Sequence, residues 1–263
     1  MRTGLLAVLS LGAVFGQTPP SRPAFEAFEV ATIKPGVDTP GRYIRMQSVN
    51  RFYAKGFTLK ALVAAAFSLA PAAISGGASW TDADRYDILA STPGAVQPNQ
   101  DEQMTMLRKL IVDRFQLAFH REPKELPIYS LTVAKGGPKL RRSAAPAGTL
   151  PELINVIHPD EKGGIYVQLP ARNATMAQFA AMMQRSIFDR SVVDNTGLTG
   201  TYDFDLEWAP DESQFGGQLP RSTDSSKPSL FAAMQEQIGL RLEATRGPVA
   251  ALIIDRAERP SEN

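Results

Sequence analysis

The feature that most constrains this chain is a pattern of helix and strand signals that occurs twice. Thr58 and Tyr86 are 28 positions apart, Thr175 and Tyr202 are 27 apart, and an Asp follows the Tyr both times. Each Thr precedes an amphipathic stretch that it can cap, and each Tyr lies in a strand-like run. A recurrent unit of this kind indicates an internal duplication. We therefore predict an α+β fold of two related halves, each strand-helix-strand-strand-helix-strand-strand, with helices packed on antiparallel sheet.

Hydrophobic periodicity predicts two helices in each half. Those of the first half begin at Thr58 and near Asp101, and those of the second half begin at Thr175 and cover 230–238. Alternating apolar residues predict strands before and after these helices. The predicted strands include 43–46, 165–169, 116–121 and 127–134, and a hairpin of 240–243 and 249–255 that turns at Gly247 and Pro248.

The beginning and the middle of the chain have distinct compositions. Residues 1–16 contain an Arg, an apolar run and small residues before Gln17, the pattern of a cleaved signal peptide. The run is shorter than the ~20 residues of a membrane-spanning helix, so we expect no stable membrane anchor after cleavage and an exported, periplasmic or extracellular protein. The predicted segments after it are a Pro-rich leader at 17–24, the first half at 25–141, a linker at 142–151 and the second half at 152–263.

Composition and missing motifs exclude several classes of chemistry. The 263 residues include no Cys and only two His, so thiol catalysis, disulfides and most zinc sites lack the necessary side chains. A formal net charge of +1 provides no field that would attract nucleic acid. The sequence also lacks His-Glu-x-x-His, Gly-x-Ser-x-Gly, Ser-x-x-Lys and phosphate-loop motifs. We therefore predict no cofactor, no metal site, no assigned catalytic residue and no nucleic-acid partner.

Four residues are candidates for binding a ligand. Trp80, Arg85 and Tyr86 combine aromatic rings, which stack on sugars or peptides, with a charge that orients the ligand. The alternative for Tyr86 is a core position equivalent to that of Tyr202. His120 lies in a predicted strand, where it is a further ligand-binding candidate, a general base in an enzyme, or a structural surface residue.

Two groups of carboxylates are the other candidates for chemistry. The first group lacks the Gly and distal Glu of a calcium loop, which favours turn and capping roles: Asp82, Asp84 and Asp87. The second group alternates with apolar residues and so shares one strand face: Asp203, Asp205 and Glu207. We expect that row to pair with cations of neighbouring strands, namely Arg241, Arg246 and Arg256. A glycosidase-like acid pair is the alternative.

Several separate segments occur in a distinctive order along the chain: 28–35, 74–77 with Trp80 and 84–87, 107–115, 120–122, 129–140, 193–203 and 254–260. Together they resemble a soil-associated, mainly acidobacterial family of exported uncharacterised proteins. The resemblance covers nearly the whole chain after residue 16, but it implies no activity, because the family is a domain of unknown function. Similar domains also resemble those attached to antirepressor-type membrane metallopeptidases, whose zinc motif this sequence lacks.

The functional prediction is a non-catalytic binding, sensing or interaction module of the cell envelope. Its partner is expected to be an envelope protein or a small ligand. The main alternative is a hydrolase-like enzyme of unfamiliar type that uses His120 or the strand carboxylates. A structural envelope component is a third option.

Overall fold

Strands predominate over helices in this protein, and the helices pack against antiparallel sheets, so the predicted α+β class is confirmed. The computed structural model describes residues 22–37, 42–146, 148–219 and 225–260. The predicted signal peptide and most of the predicted leader lie outside the described residues.

The elements follow one another in this order along the chain. The strands are β1 (Val30–Pro35), β2 (Tyr43–Ser48), β3 (Arg51–Thr58), β4 (Ile74–Gly76), β5 (Arg85–Ser91), β6 (Ala118–Val133), β7 (Arg141–Arg142), β8 (Glu152–Leu153), β9 (Val156–Pro159), β10 (Ile165–Ala174), β11 (Ser191–Asp194), β12 (Tyr202–Trp208) and β13 (Leu240–Arg256). The helices are α1 (Leu59–Ala66), α2 (Trp80–Ala83), α3 (Gln100–Arg114), α4 (Met176–Ser186) and α5 (Leu230–Gln237). Hydrophobic periodicity did not predict β1, β3, β7, β8, β9 or α2.

The four longer helices begin at polar caps. The Thr58 hydroxyl accepts a hydrogen bond from the third residue of α1, and Thr175 does the same for α4, so both predicted starts are confirmed. Helix α3 begins after Asn99, whose side chain exchanges hydrogen bonds with Glu102 in a capping box. Ser229 caps α5. Each cap satisfies backbone N–H groups that the helix leaves unpaired at its start.

Each half builds one antiparallel sheet. The N-terminal sheet has the strand order β1-β5-β3-β2. The C-terminal sheet has the order β7-β12-β10-β8, and β9 also pairs with β10. In both sheets the strand before the first long helix pairs with the strand that carries the buried Tyr. The duplication of the two halves stays a prediction.

A third sheet takes strands from both halves, and we call it the shared sheet. Its order is β11-β6-β13-β4. Strands β6 and β13 pair antiparallel along their whole length, from Leu240 opposite Val133 to Arg256 opposite Ala118. Strand β4 of the first half runs parallel to β13, and β11 of the second half runs parallel to β6. Each short strand therefore pairs with the long strand of the other half.

The sequence predictions for these long strands were wrong. Residues 116–121 and 127–134 were expected to form two strands, and 240–255 a hairpin at Gly247 and Pro248, but β6 and β13 are continuous. The residues of the expected turn pair with Leu126 and Glu125 across the ribbon. Within the described residues the shared sheet has only two strands at this level, because β4 joins at 252–254 and β11 at 128–131. Pro248 has no backbone N–H to donate, and it is tolerated here because no third described strand pairs with β13 at this level.

The apolar side chains form two buried clusters, one in each half. The first lies between the N-terminal sheet, α1 and α3, and it includes Leu252 and Ile254 from the far end of β13. The second lies between the C-terminal sheet, α4 and α5, and it includes Tyr129 and Leu131 from β6. The shared sheet thus contributes core residues across the boundary between the halves. Within the described residues, no helix is both long and apolar enough to cross a membrane.

Gly76 marks the contact of β4 with β13. Its φ is +77°, and a Cβ at this position would lie 2.5 Å from the carbonyl oxygen of Ile254. We expect Gly76→Ala to lower the free energy of unfolding by about 3 kcal/mol, because the strained backbone and the clash both oppose pairing of the two strands. The measurement is denaturant unfolding followed by circular dichroism.

Gly136→Ala is the comparison for that substitution, because Gly136 has no positive φ and no clash. A methyl group added at Gly136 would meet no atom of the described residues within 4 Å. We expect its effect to stay within about 0.5 kcal/mol. Equal unfolding free energies for the two variants would contradict the close approach of β4 to β13.

Candidate functional site

A cleft of about 760 Å³ opens at one end of the N-terminal sheet. Its walls come from three segments that are distant in sequence: the end of β1 with Gly36, residues 82–86 around the junction of α2 and β5, and the chain after β13 at Arg259 and Pro260. We call it the Arg259 cleft. It contains two of the four residues predicted to bind a ligand, Arg85 and Tyr86.

Phe115, the C-cap residue of α3, connects two of the three walls, the one around Tyr86 and the one after β13. Its carbonyl oxygen accepts a hydrogen bond of 2.7 Å from the N–H of Glu258, which fixes the chain just before Arg259. Its ring lies 5.0 Å from Tyr86, edge to face, and 6.5 Å from Trp80, nearly parallel. Phe115 is fully buried, so this end of the cleft rests on the core of the first half.

The guanidinium of Arg259 is held from two sides. Its Nε donates a hydrogen bond of 2.8 Å to Asp84 Oδ2, and its central carbon lies 5.1 Å from the centre of the Trp80 ring. Trp80 therefore contacts Arg259 and Phe115, and it belongs to the support of the cleft. The sequence prediction singled out Trp80 as a stacking surface and gave no role to Arg259.

Tyr86 is nearly buried although it lines the cleft. It is 5% exposed, as is Tyr202, in agreement with core positions in their two sheets. Burial raises the pKa of the Tyr86 hydroxyl above its usual value, and the negative charge of Asp84 adds to this, whereas Arg259 opposes it. The phenol therefore stays protonated and neutral beside the Asp84–Arg259 pair.

Positive charge exceeds negative charge along the cleft. The lining includes three cations, Lys34, Arg85 and Arg259, and two carboxylates, Asp82 and Asp84. Asp82 is paired at 2.5 Å with Lys60, which lies outside the lining. Arg85 donates through Nη1 to the carbonyl oxygen of Gly56 at 2.9 Å.

His120, the fourth predicted residue, does not line this cleft. It lies on β6 and is 53% exposed at its side chain. Its Nδ1 is 2.9 and 3.1 Å from the two carboxylate oxygens of Asp255, beside an irregularity in the pairing of β13. Its Nε2 is 4.0 Å from the carboxylate of Glu122. The structure therefore brings Trp80, Arg85 and Tyr86 together and leaves His120 in a separate pair.

The carboxylates of β12 share one face, as predicted. Tyr202, Phe204, Leu206 and Trp208 are buried between them. The predicted cations were wrong, because β13 lies in the shared sheet and not beside β12. The observed ion pairs are Arg141–Asp203, Arg172–Asp205 and Lys227–Glu207. Within the described ranges, no three His, Asp or Glu side chains are grouped so that they could hold a metal ion.

Asp160 is a buried carboxylate in the second half. It accepts hydrogen bonds from the N–H of Lys162, the Ser225 hydroxyl, and the N–H and hydroxyl of Ser226. These donors, the Lys162 N–H first among them, lower its pKa from 3.8 to about 2. Asp160 therefore ties the turn after β9 to the segment that precedes α5.

The fold is α+β, and the cleft is lined by three cations and two carboxylates of the described residues. Residues 60–257 match the family described as "Protein of unknown function (DUF3738)", and the chain belongs to that family. None of the curated proteins and none of the solved structures compared with it matches. The matched range includes Trp80, Arg85, Tyr86 and His120 but ends before Arg259.

We expect protonation of Asp160 to lower the stability of the folded protein at acid pH. Because its pKa is lowered to about 2 in the folded protein, its stabilising effect is complete above its ordinary value of 3.8 and is lost as the pH falls through about 2. Asp160→Asn should therefore lower Tm at pH 7, and the difference from the unsubstituted protein should shrink between pH 4 and pH 2. Differential scanning calorimetry across this range measures it.

Asp189→Asn provides the comparison for this effect. The Asp189 side chain is 83% exposed, and its nearest cation, Arg190, is 3.8 Å away. Its Tm should follow that of the unsubstituted protein at every pH. A constant Tm deficit of Asp160→Asn down to pH 2 would contradict the lowered pKa of Asp160.

Proposed function

We propose that this protein is an exported, non-catalytic binding module of the cell envelope that takes a small ligand in the Arg259 cleft. The observation that carries the proposal is the cleft itself, in which three cations converge from three chain segments and one of them is fixed by Asp84 and Trp80. Concave sites with a few oriented polar groups are the usual form of small-molecule sites in proteins.

Export is supported by the N-terminal sequence. The Arg, the apolar run and the small residues before Gln17 have the order of a cleaved signal. We expect the protein expressed from its full sequence in a Gram-negative host to appear in the periplasm or medium with Gln17 as its first residue, as read by intact mass. Leu9→Arg should keep it uncleaved in the cytoplasm, because a charge interrupts the apolar run. Full-length protein in the cytoplasm without that substitution would contradict export.

The resemblance to soil-associated, mainly acidobacterial exported proteins supports the sensing form of this proposal. Domains similar to this one are expected in membrane metallopeptidases of the antirepressor type, where a binding domain would report a ligand to the enzyme. This chain carries no His-Glu-x-x-His motif, so the role transferred to it is binding alone. A duplicated origin of the two halves belongs to the same proposal, supported by the corresponding strand orders.

Ligand binding is tested on the mature chain from Gln17. We expect at least one member of a panel of glycans, peptidoglycan fragments, short peptides and β-lactams to raise Tm in a saturable manner, because a ligand that binds only the folded state stabilises it by mass action. Ala83→Leu should abolish the shift, since Ala83 is an exposed residue of the lining and a larger side chain fills the cleft.

Ala72→Leu is the matched control. Ala72 is equally an exposed alanine of a short helical turn, but it lies outside the cleft lining. It should leave the ligand-induced shift unchanged. A shift that survives Ala83→Leu, or no shift with any member of the panel, would contradict the cleft as the binding site.

The pair of His120 and Asp255 is the specific observation that favours the enzyme alternative. A carboxylate on Nδ1 fixes the ring and leaves Nε2 to accept a proton, as in a general base. Against it, both side chains are about half exposed, and the lining of the cleft excludes them. Turnover of a panel member that His120→Ala abolishes without lowering Tm would replace the binding proposal with this one.

A further inference from the structure

We propose that the Arg259 cleft recognises a carboxylate and that Arg259 is its anchor. This inference deepens the proposed function and rests on it, because it names the ligand chemistry of the same cleft. It assigns a role to a residue that lies two positions beyond the family match and that the sequence pattern did not single out.

The first argument is the orientation of the guanidinium. Asp84 accepts a hydrogen bond from Nε, and the central guanidinium carbon lies 5.1 Å from the centre of the Trp80 ring. In the described part of the chain, Arg259 makes no hydrogen bond through its two terminal nitrogens. The two terminal nitrogens form the fork that binds a carboxylate through two parallel hydrogen bonds. Because the plane is already fixed, binding costs little side-chain entropy.

The second argument is that the backbone beneath Arg259 is also fixed. The hydrogen bond from Glu258 N–H to Phe115 O places the residue before Arg259 on the buried end of α3. The Arg259 side chain itself is 62% exposed, so a ligand can reach it. The anchor is therefore accessible but supported by the core.

The third argument is the sign of the charge. Lys34 and Arg85 line the same cleft, and the carboxylates among the described lining residues are Asp84 and Asp82, the second of which pairs with Lys60. In the described lining the three cations outnumber the two carboxylates, which favours an anionic ligand.

The fourth argument concerns an amide beside the carboxylate. Gly36 N–H donates to Arg85 O, so Gly36 faces β5 with its backbone hydrogen-bonding groups. In an antiparallel pair every second residue does so, and Ile33 is therefore one of the residues of β1 whose N–H and C=O point away from β5. Because β1 is an edge strand, these groups lie on the outer edge of the sheet. Ile33 lines the cleft. A ligand cannot pair with the outer edge of β1 as a whole strand. Pro35 has no N–H to donate, and the Ala31 carbonyl already accepts a hydrogen bond from Arg114. A single amide next to a carboxylate fits these groups.

Two sources provide that chemistry, a peptide C-terminus and an N-acetylated sugar acid. The probes are acetyl-Ala-Ala with a free α-carboxylate against its α-amide, and N-acetylmuramic acid against N-acetylglucosamine. Isothermal titration calorimetry on the mature chain should detect binding of at least one acid and of neither neutral counterpart. Affinity should fall as salt is raised, because ions screen the exposed Arg259.

Variants of the anchor test the assignment. Arg259→Gln should weaken binding of the acid about tenfold or more, the value of a charge-assisted hydrogen bond. Arg259→Lys should recover only part of this, because an ammonium group lacks the planar fork. Arg256→Gln is the control, since Arg256 is an exposed arginine of the same segment that pairs with Glu258. Circular dichroism and Tm check that each variant is folded.

The outcomes separate this inference from the proposed function. Equal binding of acid and amide, both lost in Ala83→Leu, would overturn the carboxylate and keep the cleft as a binding site. Binding of inorganic phosphate in preference to either acid would likewise overturn it. An acid that binds equally to Arg259→Gln would remove Arg259 as the anchor. If no ligand is found whose binding is lost in Ala83→Leu, both proposals are overturned.

Discussion

The antiparallel pair of β6 and β13 is the interaction on which the rest of the structure depends. Its two strands carry Tyr129 and Leu131 into one core and Leu252 and Ile254 into the other. Burial of a large apolar side chain contributes about 1.5–3 kcal/mol, so these four contribute roughly 6–12 kcal/mol, as much as the net stability of a typical domain. Each half thus depends on a strand that also belongs to the other. Without cysteines, no covalent link replaces that dependence.

The cleft is a consequence of the same pair. Strand β13 ends beside the N-terminal sheet because its far end pairs with β4 and packs in the first core. The chain that leaves it is then close enough to Phe115 for the Glu258 hydrogen bond, and Arg259 reaches Asp84 across 175 positions of sequence. A binding site at this place therefore requires both halves to be folded. Its charged groups stay accessible while their supports, Phe115 and Tyr86, are buried.

Local signals in the sequence predicted local structure well. Thr58 and Thr175 cap helices because their hydroxyls bond within three residues, and the carboxylates of β12 share a face because strand geometry alternates side chains. Arg85 and Tyr86 line the cleft, and their predicted role in binding a ligand stays a prediction. The prediction missed the continuous strands β6 and β13. Their prolines and Gly247 are typical turn residues, and only the long pairing of β6 with β13 shows that they lie within strands.

The sequence by itself determined the fold class and the helix starts, because each depends on neighbouring residues or on composition. It also contains no Cys and only two His. The tertiary structure alone decided which cations pair with Asp203, Asp205 and Glu207, that His120 meets Asp255 away from the cleft, and that Arg259 lies over Trp80. These contacts join segments far apart in the chain. Strand pairing and tertiary packing set them, and no local pattern encodes either.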